Sequence, residues 1–388
     1  MLRAMRIVIA PDKFKGSLAA QSVAHSIAEG VLQVAPRATT ILAPMADGGE
    51  GTAEVLAAAR ADARVMDIEV TGPLPELRAI ARIFLLDGDT AVLDMASAAG
   101  HSLLRDPQRD PLRTTTYGVG ELIRHAAEQG VARIIIGLGG SATLDAGIGA
   151  AQALGAKIEL EDGPLTRPFT GADLGHVKSI DFAPAGVGET EVVCLYDVDN
   201  PLHGRRGAAP VFGQQKGAGP RQVQQFDVRL RNLAEKLDGW IVAETPGMGA
   251  AGGLGFGLHY AVNARLRPGS QVVAEAIGLD EKLRGADLCF TGEGGFDATS
   301  LGGKVTTSVA RRCSLAGVPC FVLAGSVQPG LVMAHEHGVT SFQSILPGPM
   351  SADEARPRTH AHLAEAAEQV MRIFLAGRWI FPGEEVGA

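Results

Sequence analysis

No two cysteines of this 388-residue chain stand at CxxC spacing, no block of Lys and Arg interrupts it, and no apolar run reaches membrane-spanning length. Each absence removes a class of function. Cys194, Cys289, Cys313 and Cys320 are too few and too scattered for a disulfide framework, and such usage in a large chain predicts free, structural thiols in a reducing compartment. A formal net charge of -8 without a basic cluster argues against nucleic acid or an anionic membrane as partner. The apolar opening from Met5 to Ala10 yields at once to Pro11-Asp12-Lys13, too early for a signal-peptide core, so the expected location is the cytoplasm. The ten histidines show no HExxH or paired ligand spacing, and His25, His125 and His259 read as helix-face residues.

What is present is a globular composition, 46% hydrophobic and 20% charged, in a chain longer than one core usually serves. Two domains with a cleft between them are expected. Fifty glycines without a repeat period punctuate strand-to-helix turns. Arg6–Ala10 reads as a buried strand and Ser17–Val34 as a helix after a Ser N-cap, then Thr40–Leu42 and Glu50–Ala59 as a second strand and helix. From Val65 to Leu93 the pattern turns to antiparallel pairing. Residues 161–190 read as loop, and from Val272 onward helices and strands alternate again. The fold class is therefore α/β: a Rossmann-like doubly wound domain built from both chain ends, 1–71 plus 280–388, with a distinct α/β domain, 72–279, inserted. The segment 114–155 fits either.

Four turns carry charge or glycine where an open sheet binds ligands. Asp12-Lys13-Phe14-Lys15-Gly16-Ser17 places lysines between a strand and a helix, which suits phosphate or carboxylate and equally a solvated turn. Asp47-Gly48-Gly49-Glu50 repeats the arrangement with acids, as a Mg²⁺ site would, or as a tight turn would. Gly137-Leu138-Gly139-Gly140-Ser141 can cradle phosphate with backbone N–H groups, but Ala142 breaks the GxGxxG dinucleotide fingerprint. Gly292-Glu293 with Asp297 and Gly302-Gly303-Lys304 could meet a metal-bound polyphosphate or form a surface loop; the latter run is not a P-loop. In the inserted region, Asp197 and Asn200 after a strand suit substrate hydroxyls, and Lys216 suits a carboxylate, though turn and surface roles explain them as well.

Together these segments resemble the bacterial two-domain glycerate kinase family. The resemblance rests on IVIAPDKFKGSL (Ile7–Leu18), PMADGGEGT (Pro44–Thr52), TTTYGVGELI (Thr114–Ile123), GLGGSAT (Gly137–Thr143), DVDNPL (Asp197–Leu202), GAAGGLG (Gly249–Gly255) and TGEG (Thr291–Gly294), in the family's order. It implies transfer of the ATP γ-phosphoryl group to D-glycerate with Mg²⁺, giving 2-phosphoglycerate, and leaves a homodimer open. On that basis Lys13, Lys15, Asp47 and Asp197 are the expected catalytic residues. Gly139, Gly140, Ser141, Gly292, Glu293 and Lys304 are expected to hold nucleotide, and Asp47, Glu293 and Asp297 the metal. Asp12, Ser17, Gly48, Gly49, Asn200 and Lys216 are expected to hold substrate, with Lys13, Lys15, Asp47 and Glu293 meeting in one interdomain cleft.

Departures from the family pattern cluster near these loops. Leu144-Asp145-Ala146-Gly147 replaces Asn-Asp-Gly-Gly, Asp297-Ala298-Thr299-Ser300 lacks a glutamine, Gly295 stands where arginine is common, and Asp94 replaces a strand-end glutamate. Met1 to Ala4 precede the family's usual start, as an upstream initiation would leave them. Two rival functions follow, a kinase of another small hydroxy acid and a catalytically lapsed nucleotide- or acid-binding paralogue. The missing dinucleotide fingerprint disfavours a dehydrogenase.

Overall fold

A computed structural model describes residues 4–380; the remaining positions of the expected first domain, 1–3 and 381–388, lie outside the described residues. The chain forms two compact units, one from residues 4–47 and 270–380 and one from Gly48–Gly269. Unit 1 opens with β1 (Arg6–Ile9), α1 (Ala20–Val34) and β2 (Thr39–Leu42). Unit 2 follows with α2 (Thr52–Ala58), β3 (Arg64–Thr71), β4 (Arg78–Leu86), β5 (Thr90–Asp94), α3 (Ala96–Ala99), α4 (Tyr117–Ala127) and β6 (Arg133–Gly137). It continues through α5 (Ile148–Ala153), β7 (Lys157–Leu160), β8 (Gly163–Pro164), β9 (Val177–Asp181), β10 (Glu191–Tyr196) and α6 (Ala208–Phe212). Then come α7 (Pro220–Lys236), α8 (Trp240–Glu244), α9 (Leu254–Val262) and β11 (Arg265–Pro268). The chain returns to unit 1 through α10 (Gly269–Ala276), α11 (Leu279–Leu283), β12 (Leu288–Phe296), α12 (Val305–Leu315), β13 (Cys320–Val327), β14 (Ser341–Ser344), α13 (Ala352–Ala355) and α14 (Thr359–Ile380).

Unit 1 is a parallel sheet in the order β14-β13-β12-β1-β2. Starting from β1, the chain steps outward to β2, then crosses back to β12 on the other side and proceeds to β13 and β14. The winding direction therefore reverses between β1 and β12, and in an open α/β sheet the crevice beyond the carboxyl ends at that point is where ligands bind. The buried side chains of α1 recur at Ala20, Val23, Ala24, Ile27, Ala28 and Val31, a helical stripe that covers one sheet face together with α14. The N-cap expectation fails here. The helix starts at Ala20 after Ala19, because Phe14 and Leu18 close a small bridged turn and the Ser17 hydroxyl donates instead to Thr359 Oγ1, 2.6 Å, and the Arg356 carbonyl, 3.2 Å.

Unit 2 carries a mixed six-stranded sheet in the order β11-β10-β6-β5-β4-β3. β3, β4 and β5 pair antiparallel, as the pattern from Val65 to Leu93 predicts, whereas β5, β6, β10 and β11 are parallel. The loop expected at 161–190 instead completes a small antiparallel sheet, β8-β7-β9, whose strands are too short to show clear alternation. The division into units at 47/48 and 269/270 differs from the boundaries expected at 71/72 and 279/280. The reason is local: α2 packs on β4, β5 and β6, and the Asp94 carboxylate at the end of β5 accepts from Gly51 N, 2.7 Å, and Ala53 N, 3.3 Å, fixing the helix start to this sheet. The 114–155 segment lies in unit 2.

Gly30 shows how closely α1 and α14 approach, since a Cβ there would stand 2.0 Å from the Ala364 carbonyl oxygen. Helix propensity alone favours alanine over glycine inside a helix by about 1 kcal/mol, yet at buried Gly30 the clash reverses the sign. Gly30→Ala should lower unfolding stability by about 1–3 kcal/mol in urea titrations, and an unchanged or raised midpoint would show that the two helices can part freely.

Candidate active site

At the reversal point of unit 1, the turn after β1 is stitched to β12. Ala10 N donates to Phe290 O at 2.7 Å, Asp12 N to Gly292 O at 2.8 Å, and Thr291 Oγ1 to Ala10 O at 2.8 Å. Gly292 has no room for a side chain, because a Cβ would meet Leu323 O at 2.1 Å. These bonds carry Asp12 and Glu293 to the same end of neighbouring strands. Met45 N donates to Pro11 O, 2.9 Å, which brings the turn after β2 alongside and places Asp47 Oδ1 at 3.7 Å from Lys13 Nζ. At 3.7 Å the pair is a loose contact between partly buried side chains, and ion pairs of this kind contribute about 0–1 kcal/mol, too little to explain the cluster as a stabilising device.

Asp12 is 8% exposed. Burial, aided by the neighbouring Asp47 and Glu293 charges, pushes its carboxyl up to about 8, against the opposing pull of Lys13 and its backbone N–H. Burial likewise raises Glu293, whose Oε1 accepts from Thr306 Oγ1 at 2.7 Å. Thr306 sits in the first turn of α12 and is a site neighbour the sequence reading missed, two residues beyond Lys304 and marked by no motif.

Asp297 and Lys304 take a different part. Asp297 Oδ1 accepts from Thr299 N, Thr299 Oγ1 and Ser300 N, so the side chain caps the short turn 298–302, and the Thr299 hydroxyl bond chiefly holds its carboxyl below the ordinary value. Lys304 Nζ donates to Thr299 Oγ1 at 2.8 Å. The expected metal set of Asp47, Glu293 and Asp297 therefore includes one acid already engaged by its own loop.

Lys13 and Lys15 separate. Lys15 lines a cavity of about 280 Å³ whose walls include Phe14, Gly294, Ile345, Met350 and Arg356, and Ser17 also borders it. Arg356 and the apolar residues of 345–350 lay outside the expected site, since that stretch carries no glycine-rich signature. A larger cavity of about 580 Å³ beside Arg284, Ser308 and Arg311 touches the candidate run only at Gly303 and none of the residues expected to catalyse or to hold nucleotide, metal or substrate.

Unit 2 gathers a second group. Lys216, 3% exposed, donates through Nζ to Ser141 O at 2.8 Å and to Ser141 Oγ, joining a lysine and a glycine-rich turn 75 residues apart. Burial brings this amine down to about 7, while the charge of Asp145 acts the other way. Asp145 is itself fully buried and accepts from Thr116 N and Thr116 Oγ1, both at 2.7 Å, and from Gly147 N, so it ties the Thr114–Thr116 turn to the glycine loop. Gly139 N donates to Gly48 O at 3.2 Å, and a Cβ on Gly139 would stand 2.4 Å from Gly49 Cα, so Gly48 and Gly49 pack directly against the 137–141 turn. The Gly140 carbonyl accepts from His101 N and lies 2.8 Å from His101 Nδ1. Asn200 is held within its own loop, donating to Arg206 O at 2.6 Å, and Asp197 follows β10 directly.

The comparisons with known proteins bear on both units. The sequence profile of the glycerate kinase family matches residues 7–375. The glycerate kinase of Halalkalibacterium halodurans is 40% identical over 373 residues, 94% of this chain and 97% of that one. The glycerate 2-kinase of Escherichia coli K12 is 38% identical over 380 residues, 96% of this chain and 99% of its own. A crystal structure assigned as glycerate kinase 2 from Salmonella typhimurium LT2 superposes with a TM-score of 0.81 at 38% identity, covering 97% of this chain and all of the other. The family profile and these relatives match along nearly the whole chain, both units included, and the chain belongs to the glycerate kinase family.

Proposed function

We propose that this protein phosphorylates D-glycerate with ATP and Mg²⁺, releasing 2-phosphoglycerate and ADP. The observation that carries the reading is the gathering of Asp12, Lys13, Asp47 and Glu293 at the switch point of the unit 1 sheet, in a chain of this family. In the transfer, the acceptor oxygen bonds to the γ-phosphorus as the bond to ADP breaks, and the hydroxyl proton is released to solvent. A loose transition state of this kind needs chiefly positioned cations and aligned oxygens.

Burial together with the charges of Asp47 and Glu293 raises the proton affinity of Asp12, a repulsion that a hard divalent cation relieves, so Asp12, Asp47 and Glu293 are the carboxylates that would hold Mg²⁺. When bound, the ion neutralises the negative charge of the polyphosphate. Thr306 orients Glu293 through its hydroxyl bond. Lys13 offsets charge on the transferring group, and Lys15 with Arg356 supplies cations beside the cavity of about 280 Å³, whose Phe14, Ile345 and Met350 walls suit a purine face. In unit 2, Lys216 in its protonated form and Ser141 offer a cation and a hydroxyl to a small anion, beside a glycine turn whose Gly139 N–H is already held by Gly48 O. Asp197 and Asn200 are assigned to the acceptor hydroxyls.

A coupled ADP-release assay with D-glycerate, L-glycerate and other three- and four-carbon hydroxy acids tests this directly. The expected result is turnover with D-glycerate above all other acceptors, with a phosphorus NMR signal of the 2-phosphate ester. Preference for another acid overturns the substrate, and release of ADP at the same rate without any acceptor overturns the kinase reading.

The acid cluster also makes a prediction about stability. The unfolded chain ionises Asp12 near its ordinary value of 3.8, whereas the fold keeps it protonated up to about 8. Between those values the folded state holds a proton that the unfolded state has lost, so stability falls as pH rises and levels off above the folded value. Asp12→Asn removes this term. Its urea midpoint should decline less than the wild-type midpoint between about pH 5 and about pH 8 in the absence of Mg²⁺; identical declines would show that Asp12 ionises as freely in the fold as outside it.

A further inference from the structure

Three of the four cysteines meet in unit 1. Leu288 and Phe290 face the core beneath α1 and α14, so strand alternation turns Cys289 to the opposite face of the sheet. Cys320 on β13 is its register partner, and Cys313 comes from α12, which packs over both strands. All three are free and 0% exposed, and their Sγ atoms lie within 4.8 Å of one another. Metal–sulfur bonds of about 2.3 Å in a trigonal arrangement place sulfurs about 4 Å apart, so the cluster needs little adjustment to close on one ion. Among the described residues, no His, Asp or Glu joins this group of donors.

We propose that Cys289, Cys313 and Cys320 form a three-coordinate thiolate site for monovalent copper. Soft thiolate donors exclude Mg²⁺ and Ca²⁺, which take oxygen ligands, and select copper or zinc. Structural zinc closes its shell with four donors, and three sulfurs in a fully buried setting provide neither a fourth side chain nor exposure for a bound water. Monovalent copper is satisfied by three. Each sulfur that coordinates gives up its proton, and because the thiols are shielded, loading requires α12 to part briefly from the sheet. Once bound, the ion joins β12, β13 and α12, and β12 and α12 carry Glu293 and Thr306 at their hydrogen bond of 2.7 Å.

The test uses the full, reduced chain without oxygen, titrated with monovalent copper held by bathocuproine disulfonate. The expected result is transfer of one copper per chain, a near-ultraviolet thiolate-to-copper band, a raised melting temperature, and three sulfur neighbours at about 2.3 Å in X-ray absorption. Cys313→Ser should weaken binding about tenfold or more, while Cys194→Ser, altering the buried thiol of unit 2, should leave it unchanged. Copper remaining with the chelator, a shell of nitrogen or oxygen, or equal losses in the two variants overturns the proposal. The X-ray absorption measurement needs the wild-type chain alone, so it decides the matter even if Cys313→Ser fails to fold.

Discussion

Carboxylates brought together out of water repel one another, and unit 1 gathers three of them within electrostatic reach at the end of one parallel sheet. Burial together with Asp47 and Glu293 moves the Asp12 carboxyl to about 8. An arrangement of that kind costs stability, and the surrounding structure is what holds it in place. Backbone bonds from Ala10 and Asp12 to β12 set the first turn, Met45 pins the second, and Thr306 fixes Glu293 from α12. The close packing of Gly292 against Leu323 and of Gly30 against Ala364 leaves these elements little freedom to relax apart. A cluster strained electrostatically in this way is one whose repulsion a bound divalent cation would relieve.

The position of that cluster was legible in the sequence because strand-to-helix turns in an open sheet obey a topological rule, and charged residues in such turns have few purely structural reasons to be there. Alternation between helix and strand likewise announced the split, doubly wound unit. What stayed hidden depended on tertiary partners. Nothing near Ser17 signals that its hydroxyl serves Thr359, more than three hundred residues away, and nothing in the run from Ile345 to Arg356 marks a cavity wall. The spacing of Cys289, Cys313 and Cys320 resembles no metal motif, since two neighbouring strands and the helix over them supply the proximity. The domain boundary moved because Asp94 claims the start of α2 for unit 2, a contact across more than forty residues.

Several departures from the family pattern acquire a structural account. Leu144 is fully buried in the cluster that includes Ile148, Phe169 and Phe226, so the apolar residue serves packing where a polar one is usual. Ala146 adopts a left-handed conformation, φ 56°, that glycine takes without strain, and Gly252 O accepts from its N–H at 3.0 Å. Asp94, shorter than glutamate, reaches the N–H groups of Gly51 and Ala53 directly. Asp145, retained between Leu144 and Ala146, still organises the Thr116 turn and acts electrostatically on Lys216. Nothing in the structure explains Ala298.

The central claim is that the acid and lysine cluster of unit 1 carries phosphoryl transfer by holding Mg²⁺ against the nucleotide. Its most direct test is the rate of Asp47→Asn, a change that keeps shape and removes charge, measured across a Mg²⁺ series with ATP and D-glycerate. The account predicts a kcat lower by about 10²-fold or more at low Mg²⁺, with partial recovery as the ion is raised; near-wild-type activity at every Mg²⁺ concentration in a folded variant would contradict it.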